Sequence, residues 1–307
     1  MPNDKALIKR EEINRRLAGY FLSLEPGINI DSVRDLAGSM DASIGLISES
    51  ISRLEELGAI EIDRRGQLGS FLVRQSVGRL WASAMNQPLV IAHTLPSNRR
   101  YEGLATALKK AFNDVGVEAY FIFIRGSRTR LKALRENRCH IAIVSQFAAE
   151  GLRGRTEEIA ATLAPGSFVK SHQVFFRNDT KNNQPINVAI DPDSYDQMQL
   201  SNIEFKDQPI DFHKITFMSI HHYLAEKKVD MAIWTEEDME NQLGNTISKR
   251  PLSEKTVEIV GGRNTKAALV TRTDDRATRA LIQKVVDAAA INEIQQAVIS
   301  GTLIPEY

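Results

Sequence analysis

The sequence predicts an α/β chain in two unlike parts: three helices closed by a β-hairpin, then a longer region where strands and helices alternate in two half-domains. Three observations predict this. Apolar residues recur at helical spacing as far as about Leu57, then alternate with polar ones over 59–74. From Pro88 onward, short apolar runs are separated by amphipathic segments of helix length. The 307 residues also exceed one small core, the usual domain being ~100–200 residues. The expected division is 1–75 for the helices and hairpin, 76–87 for a linking helix, and 88–307 for the two-lobed part.

In the first part, Leu7, Ile8, Ile13, Leu17, Tyr20, Phe21 and Leu24 mark one buried helix face, and Glu25-Pro26-Gly27 stops that helix. Asp31 is placed to cap a second helix, Ser32 to Met40, with Val33, Leu36, Ala37 and Met40 inward. Ser43 caps a third helix running to about Leu57, with Ile44, Ile47, Ile51 and Leu54 inward and Gly58 just past its end. A strand over 59–63, a polar tip over 64–69 and a returning strand over 70–74 make the hairpin. Three helices and a hairpin in this order form a winged helix-turn-helix.

In the second part, strands at 88–95, 117–124 and 140–145 enclose helices near 101–113 and 128–137. Such βαβαβ order calls for a parallel sheet with helices on its faces. The grammar repeats more loosely: a strand at 186–191, a helix near 194–200, a strand at 202–205, a helix near 218–227 and a strand at 229–234. Two half-domains of like construction give two lobes, with 172–177 and either 256–260 or 266–271 crossing between them. The chain ends in helical sequence, 277–300.

Composition narrows the class. Hydrophobic residues make up 42% and charged residues 25% of the chain, an ordinary globular balance. No run approaches the ~18 apolar residues that span a bilayer, and the charged N-terminus has no signal-peptide core. One cysteine, Cys139, fits a reducing compartment and a structural, buried role. A cytoplasmic protein without a membrane partner is expected. Net charge is +0, and residues 1–74 hold ten Lys/Arg against twelve Asp/Glu, a local balance of −2. That balance opposes nucleic-acid binding, which draws most of its sequence-independent affinity from phosphate neutralisation.

Nucleotide-binding glycine loops, serine-hydrolase elbows, zinc-protease pairs and paired-cysteine motifs are all missing from the sequence. His221 and His222 are adjacent and diverge by about 100° on a helix, and Asp191-Pro192-Asp193-Ser194 reads first as a turn and cap. No catalytic residue, metal or cofactor is therefore expected. Open α/β sheets bind ligands beyond the carboxyl ends of their strands. Those positions hold Ser97, Asn98 and Arg99, then Arg125, Ser127 and Arg128, then Ser145 and Gln146, with Asp191, Ser194 and Trp234 in the second lobe. Each polar residue there is individually as well suited to capping a helix. As a set they fit a small-molecule site, and Arg99, Arg125 and Arg128 suggest an anionic one.

Residues 31–73 resemble the winged helix-turn-helix of GntR-type regulators, through Ser32–Ala37, Ser43–Glu49, Arg53–Glu61 and Gly69–Val73. In that family the segment after the serine reads S-R-x-T-V-R, whose arginines and threonine touch DNA; here Ile44, Leu46 and Ser48 stand at those places. The second part resembles the type 2 periplasmic-binding fold, used as an effector domain in bacterial regulators, through the helix-to-strand stretches 131–145 and 225–234. Taken whole, the chain is similar to the YhfZ family of regulators, which pair two such parts. The resemblance implies a transcription regulator, homodimeric on a DNA operator and responsive to a small-molecule effector. Arg34, Ser43, Gly45, Ser48, Arg53, Arg64 and Arg65 are the expected DNA-facing residues. Two other readings stay open: an enzyme using His172, Asp191 or Glu236 as acid or base, and an adaptor whose winged helix docks protein.

Overall fold

The computed structural model describes residues 2–180, 185–239 and 246–307, with side chains from residue 9 onward. They group into two compact units. The first comprises residues up to Val90 with Leu108–Tyr120 and Thr273–Val286; the second comprises Ile91–Ala107, Phe121–Arg272 and Asp287–Tyr307.

The first unit begins with α1 (Pro2–Ser23), β1 (Asn29–Ile30), α2 (Val33–Met40), α3 (Ile44–Glu56), β2 (Ile60–Arg64), β3 (Ser70–Gln75) and α4 (Val77–Met85). β3 lies between β1 and β2 in an antiparallel sheet. Leu17, Phe21, Leu36, Ile47, Leu72 and Leu80 are wholly buried in its core. Ser32, not Asp31, caps α2, accepting the Asp35 amide at 3.2 Å. Asp31 instead donates its own amide to the Tyr20 hydroxyl. Ser43 caps α3 as expected, and Gly58 leaves that helix at φ 62°, a left-handed turn open to glycine. Ile44 departs from the pattern. It is 52% exposed rather than inward, because the first turn of α3 projects past the core that Ile47, Ile51 and Leu54 fill.

Downstream come β4 (Leu89–His93), α5 (Arg99–Asp114), β5 (Ala119–Phe123), α6 (Ser127–Arg135), β6 (Ile141–Ser145), α7 (Gln146–Leu152) and β7 (Glu157–Thr162). Next are β8 (His172–Arg177), β9 (Ile186–Ile190), α8 (Tyr195–Glu204), β10 (Ile210–Lys214), α9 (Ile220–Ala225), β11 (Met231–Thr235), α10 (Glu236–Met239) and β12 (Ile247–Pro251). α11 (Glu254–Val260), β13 (Ala267–Arg272), α12 (Arg276–Val285) and α13 (Ala288–Ile299) complete the chain. Among the described residues these strands form two five-stranded sheets, ordered β5-β4-β6-β13-β7 and β10-β9-β11-β8-β12. Each is mixed: β4 runs parallel to β6 while β13 opposes it, and β9 runs parallel to β10 and β11 while β8 opposes β11. The two-lobed α/β fold is therefore the one the sequence predicts.

Two segments correct the sequence reading. Residues 202–204 continue α8 and Phe205 caps it instead of forming a strand: Leu200 and Ile203, three apart on the helix, pack in one cluster with Phe205. The strand follows at β10. Residues 256–260 are helical too: Ser253 caps α11, Thr256 and Val260 form its buried stripe, and Gly261 ends it at φ 60°. The chain crosses between sheets at 163–171 and returns after α11 into β13, so 266–271 belong to the first sheet and 172–177 to the second.

α12 joins the first unit, where Ala277 and Ala280 enter the core with α1. Gly19 faces Ala277 across this contact; a Cβ at position 19 would stand 3.6 Å from the Ala277 Cβ, an ordinary van der Waals distance. Among the described residues, no helix is long and apolar enough to cross a membrane.

Candidate functional site

Within the second unit, the loops after β4, β5 and β9 and the end of β11 surround a cavity of about 60 Å³. Of the eleven expected ligand residues, Ser97, Ser127, Asp191, Ser194 and Trp234 line it. Their neighbours explain why strand ends converge there. Ser194 caps α8 through the Gln197 amide, and Trp234 stacks on Phe217 with ring centres 4.7 Å apart, giving the cavity an apolar wall.

Most of the expected ligand residues bridge the two lobes. Ser97 Oγ and Asn98 Nδ2 donate to Asp238 Oδ1 at 2.7 and 2.8 Å. Arg125 donates to Asp191 at 2.6 Å and to Asp193 at 2.5 Å. Ser127 Oγ accepts the Tyr195 amide, and Ser145 Oγ donates to Asp196 at 2.8 Å. Arg100, not foreseen as part of the site, reaches Glu237 at 2.6 Å. These contacts latch the cleft shut.

The arginines expected to hold an anion do not line the cavity. Arg99 pairs with Glu102, Arg125 is engaged by two aspartates, and exposed Arg128 lies over the Tyr195 ring. Gln146 turns to Glu150. In their place stands Arg130, one turn into α6, on the same face as Ser127. Only 3% exposed, it is fixed by the carbonyls of Ile143 and Ile124, both at 2.8 Å. Burial brings its pKa down to about 10.

Asp196, in the first turn of α8, lines the same cavity as Arg130 and is 7% exposed. Burial raises its carboxyl to about 7, against the opposing pull of the Ser145 hydroxyl and Arg130. A raised carboxyl favours the protonated folded state, so this contribution is complete below about pH 4 and fades as pH rises to about 7. Thermal unfolding at pH 5 and pH 8 should therefore show wild type losing roughly 2–4 kcal/mol relative to Asp196→Asn. Parallel curves for the two proteins would refute the assignment.

Tyr101 and His172 also line the cavity, both buried: burial raises the Tyr101 hydroxyl well above its ordinary range and lowers His172 to about 4, which favours the uncharged form of each. His172 Nδ1 meets the Asn264 amide at 2.8 Å rather than a hydroxyl nucleophile. Asp191 is taken by Arg125 and the Phe217 and Asp193 amides, and Glu236 by Lys249 and Lys170. The three groups named for acid–base chemistry are thus held by structural partners.

On the first unit, Arg34, Gly45, Ser48 and Arg53 are all exposed along α2 and α3, and neither arginine has an ion-pair partner among the described residues. Ser43 Oγ is occupied by the Leu46 amide. The wing arginines are less free than the sequence suggests. Arg64 makes a two-pronged pair with Glu55 at 2.9 and 2.6 Å, while Arg65 pairs with Asp63 and covers Phe71. Arg10 of α1 also neutralises Glu49 of α3.

A helix-turn-helix unit followed by a mixed α/β domain whose lobes enclose a charged cavity defines a helix-turn-helix protein with a two-lobed α/β domain. Residues 26–72 match the model of a helix-turn-helix domain, and residues 77–307 match that of the YhfZ C-terminal domain. The chain belongs to the YhfZ family. It is 31% identical over 307 residues to the YhfZ protein of Escherichia coli K12, covering 99% of each chain. It is also similar to the crystal structure of YhfZ from Shigella flexneri: 29% identity and a TM-score of 0.60, over 72% of this chain and 93% of that one. The aliphatic sulphonate binding protein SsuA of Escherichia coli aligns at 13% identity with a TM-score of 0.49, over 70% of each chain.

Proposed function

We propose that the chain is a transcription regulator, binding an operator as a homodimer through a winged helix of the GntR type and sensing a small metabolite in the cleft. The carrying observation is a cavity lined by the buried charged groups Arg130 and Asp196, in a chain that begins with a helix-turn-helix. Burying such groups without ion-pair partners is unfavourable, and a ligand that pairs them offsets the penalty. Closure on that ligand would shift the population of lobe arrangements and with it operator affinity. Metabolite sensing would fit a cytoplasmic protein.

The test is binding to DNA from the protein's own promoter beside a scrambled duplex, at two salt concentrations. Specific binding that weakens with salt is expected, since phosphate contacts release counterions. Arg34→Ala should weaken it roughly tenfold, on the scale of one charged contact; unchanged specific binding would remove Arg34 from the interface. Glu55→Gln acts the other way. It frees Arg64, so affinity should rise and the salt slope steepen by about one. A Glu55→Gln protein with the wild-type slope would mean that Arg64 does not reach phosphate.

One observation favours a docking module instead: Ile44, at the start of α3, is a large exposed apolar side chain where the GntR-type regulators that this segment resembles carry a DNA-contacting arginine. Equal, salt-insensitive failure on both duplexes would favour that reading.

A further inference from the structure

We propose that the cavity takes a small zwitterion, an α-amino acid near glycine or alanine in size, with its carboxylate on Arg130 and its ammonium on Asp196. This rests on the ligand-sensing reading above and names the ligand class. Arg130 has two carbonyl partners and Asp196 one hydroxyl partner, and among the described residues neither makes an ion pair, the two acting on each other only through space. The other cavity charges are already engaged. Asp191 is held by Arg125 and two amides, and Asp238 accepts from Ser97, Asn98 and Thr235.

Sign then decides between ligand classes. A plain anion on Arg130 would lie among the carboxylates of Asp196 and Asp238, both cavity-lining. A plain cation on Asp196 would lie beside the Arg130 guanidinium. Only a molecule carrying both charges gives each buried group a partner without adding net charge to a desolvated site. Arg130 has the planar donors that suit a carboxylate, while Phe168, Phe217 and Trp234 supply an apolar wall for the carbon between the charges. Size narrows the class. At about 60 Å³ the cavity is smaller than the ~150 Å³ that encloses benzene, so the latches must yield slightly even for glycine, and more for any longer side chain.

The experiment is calorimetric titration of the full chain with glycine, alanine, leucine, acetate and methylamine at one buffer composition. Glycine or alanine should bind, leucine at least tenfold more weakly, and acetate and methylamine not measurably. Arg130→Gln and Asp196→Asn, each checked by thermal unfolding to be folded, should each weaken amino-acid binding at least tenfold. Asp196→Asn should also raise the response to acetate, which a purely structural role for Asp196 would not do. Acetate or methylamine binding as tightly as glycine would overturn the zwitterion and leave the sensing reading standing. So would amino-acid binding indifferent to both substitutions. If none of the five binds, this proposal falls, and the promoter-binding assay separately decides the regulator reading.

Discussion

Arg125→Ala is expected to destabilise the protein by about 2–4 kcal/mol and to leave the cleft open. Asp191, its partner at 2.6 Å, has a side chain only 2% exposed. Removing one member of a buried ion pair leaves the other desolvated and unmatched, which typically costs about 3–5 kcal/mol. The cost is shifted below that range by about 1 kcal/mol, because Arg125 is itself 30% exposed and the Phe217 and Asp193 amides still donate to Asp191. Asp193→Asn provides the control. Its side chain is 45% exposed, so losing that arm of the fork should cost no more than about 1 kcal/mol. Urea unfolding measures both changes, and small-angle scattering reports the wider lobe separation in Arg125→Ala. Equal effects from the two substitutions would contradict the latch.

Phe21→Ala should cost about 3–5 kcal/mol, the usual range for emptying an aromatic site in a packed core. Phe21 has no solvent exposure, sits edge-on to Tyr20 at 5.3 Å between ring centres, and shares its cluster with Leu17, Leu36 and Leu72. Those neighbours come from a helix, a helix and the hairpin, so no single element can collapse into the void. Promoter binding should fall with the folded fraction and recover at lower temperature. A loss below about 1 kcal/mol in chemical denaturation would mean that the first unit repacks, contrary to this account.

The reading unit was legible because its signals are local. Ser43 and Gly58 mark the ends of α3 within a few residues, and the hairpin follows from alternation alone. Failures came where neighbours compete for one role: Ser32 took the cap assigned to Asp31, since its hydroxyl reaches the Asp35 amide. In the cleft, strand ends located the site but not its chemistry. Side chains in the loops were near enough to the opposite lobe to bond it. The groups left facing the cavity, Arg130 and Asp196, sit in the first turn of the following helices. A residue three positions after Ser127, on the same helix face, was the available signal, and only for Arg130. That Asp193, Asp238 and Glu237 would meet Arg125, Ser97 and Arg100 depends on contacts between residues 68 to 141 positions apart, which no local pattern encodes.

α12 supplies Ala277 and Ala280 to a core otherwise built from residues up to Val90. On a translating ribosome, the growing chain therefore finishes the N-terminal helices long before the piece that covers them exists. At ~5–20 residues per second, the interval from Val90 to Val286 lasts roughly 10–40 s. During that interval the apolar face of α1 around Gly19 lacks the helix that covers it in the folded protein. The helix-turn-helix unit thus becomes complete only when most of the polypeptide has been made, and a chain that stops before α12 would lack the helix that closes its core.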